Sequence, residues 1–64
     1  MIFGTLWYML EEMNTEGSYE LSTVTIDEEK EYGIATIKNT LDDNIKDFYW
    51  DKELNIWIKR RFNI

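Results

Sequence analysis

The sequence predicts a small α+β domain, in which one amphipathic helix lies across one face of an antiparallel sheet of three or four strands. Three observations support this class: a central stretch with helical spacing, strand-like runs before it, and an alternating run after it. With 64 residues, the chain is long enough for one domain only, residues 1–64. We expect a globular chain with a limited core.

The helix is predicted between Thr25 and Trp50. Five apolar residues in this stretch recur at steps of three, four, four and three: Ile34, Ile37, Leu41, Ile45 and Phe48. On a helix these side chains fall within an arc of roughly 80°. Thr25 and Glu28 have the spacing of a capping box at its start. The alternative is a strand over residues 32–38 followed by a short helix capped at Thr40, because Gly33 and Asn39 form helices poorly.

The first half of the chain predicts a β-hairpin. Residues 2–13 are apolar at both alternating positions, which is typical of a central strand. A helix is the alternative for this segment, although Gly4, Thr5 and the aromatic residues favour a strand. Residues 14–17 form a polar loop, and residues 18–26 alternate with several β-branched side chains. We therefore expect a second strand there, paired with the first.

The last part of the chain predicts one or two further strands. Residues 48–50 suit a short strand, residues 51–55 a turn and residues 56–62 a final strand. The predicted order is β-β-α-β or β-β-α-β-β, with the first strand in the centre of the sheet. The alternative architecture is a mostly-β five-stranded meander or small barrel with a short helix.

A sheet covered by one helix leaves its second face without cover. In the predicted order that face carries aromatic residues, and its members are Phe3, Trp7, Met9, Trp57 and Arg61. Aromatic residues and Arg are enriched in the cores of protein interfaces. We predict that this aromatic sheet face is an interface, either in a homodimer or with another protein. The alternative is that the sheet curls and buries the face itself.

The composition excludes most catalytic chemistry. The chain contains no His and no Cys, which removes the usual general base, the thiol nucleophile and the common zinc ligands. The three glycines are isolated, so no phosphate-binding loop is present. The strongest metal candidate is Asp43, Asp47 and Asp51, of which the first two could share a helix face and hold Mg²⁺ or Ca²⁺ weakly, but a calcium-loop pattern is missing. We expect no enzyme, no catalytic residue, no cofactor and no metal.

The charge of the chain is strongly negative and unevenly distributed. The net charge is −6, and all thirteen acidic residues lie between Glu11 and Glu53. A candidate partner-binding acidic face on the predicted helix consists of Glu28, Glu29, Asp42, Asp43 and Asp47. Such a row could imitate DNA phosphates and inhibit a nucleic-acid enzyme. The alternative is that acidity serves only solubility.

A hypothesis opposite to DNA mimicry is that the chain itself binds single-stranded nucleic acid. Trp57, Lys59 and Arg61 alternate along the last predicted strand, where an aromatic ring could stack on a base and cations could hold phosphates. A chain of net charge −6 repels nucleic acid elsewhere, so we regard nucleic acid as an unfavourable partner.

Together these observations predict a small acidic non-enzymatic binding protein, a protein-interaction module with a regulatory or inhibitory purpose. Its size, acidity and composition are typical of small proteins of bacteriophages and other mobile elements. No basic leader precedes the apolar first ten residues, and they are too few to span a bilayer. We therefore expect a cytoplasmic protein without a membrane segment.

Overall fold

The computed structural model describes residues 1–60, which form one helix followed by four strands. The elements are α1 (Ile2–Met13), β1 (Tyr19–Asp27), β2 (Tyr32–Asn39), β3 (Ile45–Asp51) and β4 (Ile56–Lys59). The strands pair antiparallel in the order β1-β2-β3-β4, and α1 packs on one face of the sheet. The α+β class, with one helix on an antiparallel sheet, is confirmed.

The order of the elements differs from the prediction, because the helix comes first. Residues 2–13, predicted as a strand, form α1. Ile2, Leu6 and Leu10 recur at steps of four and are buried in one stripe, with Met9 and Met13 packed beside them. Burying this stripe against the sheet outweighs the weak helix propensity of the other residues in the segment. The alternative of a helix in this segment is therefore correct.

The predicted helix over residues 25–50 is wrong, because this stretch contains β2, a turn and most of β3. A step of three residues reverses the side-chain direction on a strand, so Ile34 and Ile37 lie on opposite faces of β2. The alternative of a strand over residues 32–38 is correct, but a turn follows at Thr40 instead of a short helix. The strands predicted over 18–26, 48–50 and 56–62 are confirmed as β1, part of β3 and β4. Residues 61 and 62 lie outside the described residues.

The three hairpins use the same turn chemistry. The first turn residue in each hairpin is Asp27, Asn39 or Asp51, twelve residues apart along the chain. Each side-chain oxygen accepts hydrogen bonds from the backbone N–H groups two and three residues further on, at 2.8–3.3 Å. Four residues after each lies a residue with positive φ: Glu31 (53°), Asp43 (62°) and Asn55 (56°). This combination reverses the chain without glycine.

The core lies between α1 and the sheet. The buried hydrophobic residues described by the structure are Ile2, Leu6, Leu10, Ala35, Ile37, Phe48, Trp50 and Trp57. The two tryptophans meet edge to face with ring centroids 5.9 Å apart. Trp57 Nε1 donates a hydrogen bond of 3.1 Å to the carbonyl of Ile2, which joins β4 to the start of the helix.

Gly33 gives the Trp57 ring room to lie against β2. A Cβ atom at position 33 would lie 2.8 Å from Cη2 of Trp57 and 3.2 Å from Cγ2 of Ile2. The first distance is shorter than real Cβ contacts, and a buried indole ring has little freedom to move away. The glycine that argues against a helix is thus required by packing.

Glu28 holds the first turn of α1, which lacks a side-chain cap of its own. The backbone N–H of Ile2 donates to Glu28 Oε1 at 3.2 Å, and that of Phe3 donates to Oε2 at 3.3 Å. The Met1 ammonium lies 3.4 Å from Oε2. Hydrogen bonding from the Ile2 backbone is the main cause that lowers the pKa of Glu28, against an opposing effect of desolvation. Glu28 was predicted to cap a central helix, and in the structure it caps α1 instead.

Candidate functional site

The sheet face opposite α1 has no layer packed on it, and we call it the open face. The strand register places its residues in four rows across the sheet. Along the sheet from β1 to β4, row one is Glu20, Lys38 and Ile45; row two is Thr23, Thr36, Asp47 and Arg60; row three is Thr25, Ile34, Tyr49 and Ile58; row four is Asp27, Tyr32, Asp51 and Ile56. Each row runs perpendicular to the strands.

A bulge in β1 decides which of its residues join the open face. The register shifts between Leu21 and Thr23, so Ser22 is the extra residue. After the shift, Val24 and Ile26 lie on the same face as Tyr19 and Leu21, the face that α1 covers. Strict alternation predicts the opposite placement, because a shift of one residue reverses every later side chain. The bulge therefore puts threonines on the open face.

The centre of the open face is apolar. Ile34 and Tyr49 are register partners in row three, and they remain 41% and 39% exposed. Ile58 continues the row on β4, and Thr25 begins it on β1. A row of large apolar side chains in the middle of a face, with polar residues around it, has the composition of an interface centre.

A shallow depression lies over rows two and three. Its volume is about 190 Å³, and its walls include Thr23, Thr36, Ile34 and Tyr49. The hydroxyls of Thr23 and Thr36 hydrogen-bond to each other at 2.6 Å, and the Thr23 backbone N–H donates to Thr36 Oγ1 at 3.0 Å. Sites that enclose a small organic ligand usually measure about 300 Å³ or more. The depression is smaller than such sites.

The central rows of the open face carry no net charge. Row two contains one acid, Asp47, and one base, Arg60, whose backbone N–H donates to the Asp47 carbonyl at 2.7 Å. Row three contains no charged side chain. Since the whole chain has a net charge of −6, its acidity is concentrated outside these rows. Another surface can therefore approach the centre without strong repulsion.

The residues of the predicted aromatic sheet face do not share one face. Phe3, Trp7 and Met9 belong to α1, where Met9 packs against the core. Phe3 and Trp7 stack with centroids 6.4 Å apart on an outer side of the helix, 47% and 51% exposed. Trp57 is buried beneath α1, and Arg61 lies outside the described residues. A sheet face without a covering helix exists, but other residues form it.

The five residues of the predicted acidic face lie in three separate places. Glu28 and Glu29 are in the β1–β2 turn, whereas Asp42 and Asp43 are in the β2–β3 turn at the opposite end of the sheet. Asp47 lies on the open face between these ends. Glu28 binds the start of α1, and Asp43 forms an ion pair of 3.2 Å with Lys38. They do not form one row of carboxylates.

The part of the chain that the structure describes offers neither a metal cluster nor a membrane-spanning helix. Within residues 1–60, no group of three acidic side chains is placed to hold a metal ion. Over the same residues, no helix has the length and apolarity needed to cross a bilayer.

Comparisons of this chain with protein-family models, with curated proteins and with solved structures find no match. The assignment of a function therefore depends on the geometry of the surface itself.

Proposed function

We propose that this chain is a small non-catalytic protein-binding domain, and that the open face is its contact surface. The observation that supports the proposal most directly is the exposed pair Ile34 and Tyr49 at the centre of an uncovered face, whose two central rows carry no net charge. Fully burying side chains of this size is worth about 1.5 to 3 kcal/mol each. Since Ile34 and Tyr49 are 41% and 39% exposed, a partner that covers row three gains less than half of this free energy for each.

The composition supports binding over catalysis. The chain lacks His and Cys, so the residues that most often transfer protons or attack substrates are missing. Binding to a protein surface requires neither residue. We therefore propose that the domain regulates or inhibits the protein it binds, and that its acidity keeps it soluble.

The two nucleic-acid hypotheses have less geometric support. DNA mimicry requires carboxylates in a row, whereas Glu29 and Asp42 lie at opposite ends of the sheet. The predicted site for single strands depends on an exposed Trp57 ring that stacks on a base, but Trp57 is buried. A protein surface is the partner that the open face fits best.

Site-specific photo-crosslinking tests the proposal. A benzophenone amino acid replaces Tyr49 on the open face, and a matched chain carries it in place of Tyr8, an exposed tyrosine on α1. We expect protein adducts after irradiation in the source cells from position 49 and not from position 8. Adding Ile34→Glu to the position-49 chain should abolish them. Adducts from position 8 alone, or none from either chain, would contradict the proposal.

A further inference from the structure

We propose that a second copy of this chain occupies the open face. This inference rests on the proposed protein-binding function and names the partner. In the proposed dimer, the twofold axis runs parallel to the strands and passes between β2 and β3. This axis places β2 of one copy over β3 of the other and β1 over β4, while each row faces the same row of its partner.

The first argument is the match at the centre of the face. Row three places Ile34 opposite Tyr49 of the partner subunit, and the twofold axis repeats this contact. Thr25 and Ile58 make the flanking contact in the same way. The result is an apolar centre surrounded by polar rows, which is the normal anatomy of a protein interface.

The second argument is that the two carboxylates of β3 meet hydroxyl groups in the rows on either side. In row two, Thr36 faces Asp47 of the partner subunit, and in row four Tyr32 faces Asp51 of the partner subunit. Both contacts put a hydroxyl donor opposite a carboxylate acceptor. On the open face β2 carries no acid, whereas β3 carries two, Asp47 and Asp51, so stacking β2 on β3 keeps these acids apart.

The third argument comes from a second way to stack row three on row three with a twofold axis. An axis perpendicular to the strands that passes over row three would place β3 over β3 and row two over row four. Asp47 would then face Asp51 of the partner subunit twice in each dimer. Like charges brought together in an interface are strongly unfavourable. The charges thus favour the axis parallel to the strands over this one.

The size of the face sets the expected affinity. Four strands spaced about 4.8 Å apart and four rows about 6.7 Å apart give a face of roughly 500 Å² in projection. This is smaller than the roughly 800 Å² that each partner buries in a standard interface. We therefore expect a dissociation constant in the micromolar range, about 1 to 100 μM.

The exposed pair Phe3 and Trp7 on α1 is the main rival surface. Nothing in its surroundings indicates what would cover it, so it serves as the control. Trp7→Glu changes this surface and leaves the open face intact. If the dimer forms through the open face, the dissociation constant of this variant stays within about twofold of wild type.

Sedimentation equilibrium from about 1 μM to about 1 mM tests the dimer. We expect wild type and Trp7→Glu to dimerise, and Ile34→Glu and Tyr49→Lys each to weaken the dimer at least about tenfold, since a buried charge then faces an apolar partner. Both replaced side chains are exposed in the single chain, so the variants should keep the wild-type circular dichroism. A monomeric wild type, or a dimer that both open-face variants leave unchanged, would overturn the inference.

An equimolar mixture of the Ile34→Glu and Tyr49→Lys chains tests the axis. Under the proposed geometry the introduced carboxylate faces the introduced ammonium, and the second central contact stays native. We expect a heterodimer at least about tenfold tighter than either variant alone. No heterodimer would overturn the proposed axis. A monomeric wild type that still gives crosslinks from position 49 to another protein would overturn the homodimer and leave the protein-binding function standing.

Discussion

The two faces of the sheet come from alternate residues of the same strands, yet they do different things. Ile37 and Ile34 are the same residue type on β2, but Ile37 is fully buried under α1 and Ile34 is 41% exposed on the open face. The difference lies in what packs against each face. One helix can cover one face, so the covered face becomes a core and the open face stays available to a partner.

The residues that stabilise the fold and those of the proposed contact surface are consequently separated in space. All of the fully buried residues described by the structure lie in α1 or on the covered face. Residues on the open face contribute their cross-strand contacts but little burial. Substitutions on the two faces should therefore have effects of different size and kind.

The largest expected effect comes from truncating the two isoleucines of β2. Ile37→Ala leaves a cavity in the core and should lower the free energy of unfolding by about 2 to 5 kcal/mol. Ile34→Ala removes a half-exposed side chain and should cost less than about 1 kcal/mol. Urea unfolding at low protein concentration, where the chain is monomeric, measures both. Equal losses would show that the open face is packed as tightly as the covered one.

A second comparison uses two glycines. Gly33→Ala puts a Cβ atom against Trp57 and Ile2 on the covered face, and overpacking of this kind costs about 1 to 3 kcal/mol. Gly4 lies in α1 with no neighbour within 4 Å of the added atom. Gly4→Ala should instead raise stability by about 0.5 to 1 kcal/mol, because alanine favours the helix. Thermal unfolding of the two variants should therefore shift in opposite directions.

The two buried tryptophans differ in whether the indole N–H is hydrogen-bonded. Trp57 Nε1 donates to the Ile2 carbonyl, whereas Trp50 Nε1 is buried with no hydrogen-bond acceptor among the described residues. Trp50→Phe removes an unpaired donor along with ring volume, so the two effects offset each other. We expect Trp57→Phe to destabilise the protein by about 1 kcal/mol more than Trp50→Phe. Chemical denaturation that ranks Trp50→Phe as the worse variant would contradict this expectation.

The smallest effect concerns Glu28, which ties the β1–β2 turn to the start of α1. Its pKa is lowered in the folded chain from the ordinary value of 4.5, chiefly by hydrogen bonding from the Ile2 backbone. Its ionised form therefore contributes stability above about pH 4.5, and this contribution is lost as the pH falls through the lower folded pKa. Because the group is exposed, the effect is modest.

Glu28→Gln should accordingly lower the melting temperature at pH 7 and have progressively less effect as the pH falls through the lowered folded pKa of Glu28, because the wild-type carboxylate then becomes protonated. Glu29→Gln is the control, because this neighbouring carboxylate does not bind the start of α1. A difference between Glu28→Gln and wild type that grows as the pH falls would have the wrong sign.

The turns were the part of the fold most open to prediction from sequence. Asp27, Asn39 and Asp51 are spaced at twelve residues, and each is followed four positions later by Glu31, Asp43 or Asn55. Asp and Asn cap their own turns and tolerate positive φ, so this spacing indicates three successive hairpins. Only the last of these turns, over residues 51–55, is among the predictions made from sequence. The full spacing would have placed β2 and β3 correctly and excluded the central helix.

The uncovered sheet face was predicted, but its residues were not. Trp57 was placed there because it alternates with Ile56 and Ile58 along the last predicted strand, whereas its N–H is paired with Ile2 inside the core. Ile34 and Tyr49 were missed because Ile34 was assigned to a helix stripe. The bulge at Ser22 also has no clear signal in the sequence, since it depends on how β1 pairs with β2.

By itself the sequence determined the α+β class, the strand over residues 18–26 that is β1, the final strand and the chemistry of the turns. These features follow from alternation and side-chain capping, which act over a few neighbouring residues. Only the tertiary structure decided which of two apolar stripes is the helix. Ile2, Leu6 and Leu10 fit a helix face as well as Ile34, Ile37 and Leu41 do, and local propensity argued against both. The choice follows from packing: the first stripe covers the sheet, while the second is divided between its two faces, so that Ile37 is buried and Ile34 stays exposed.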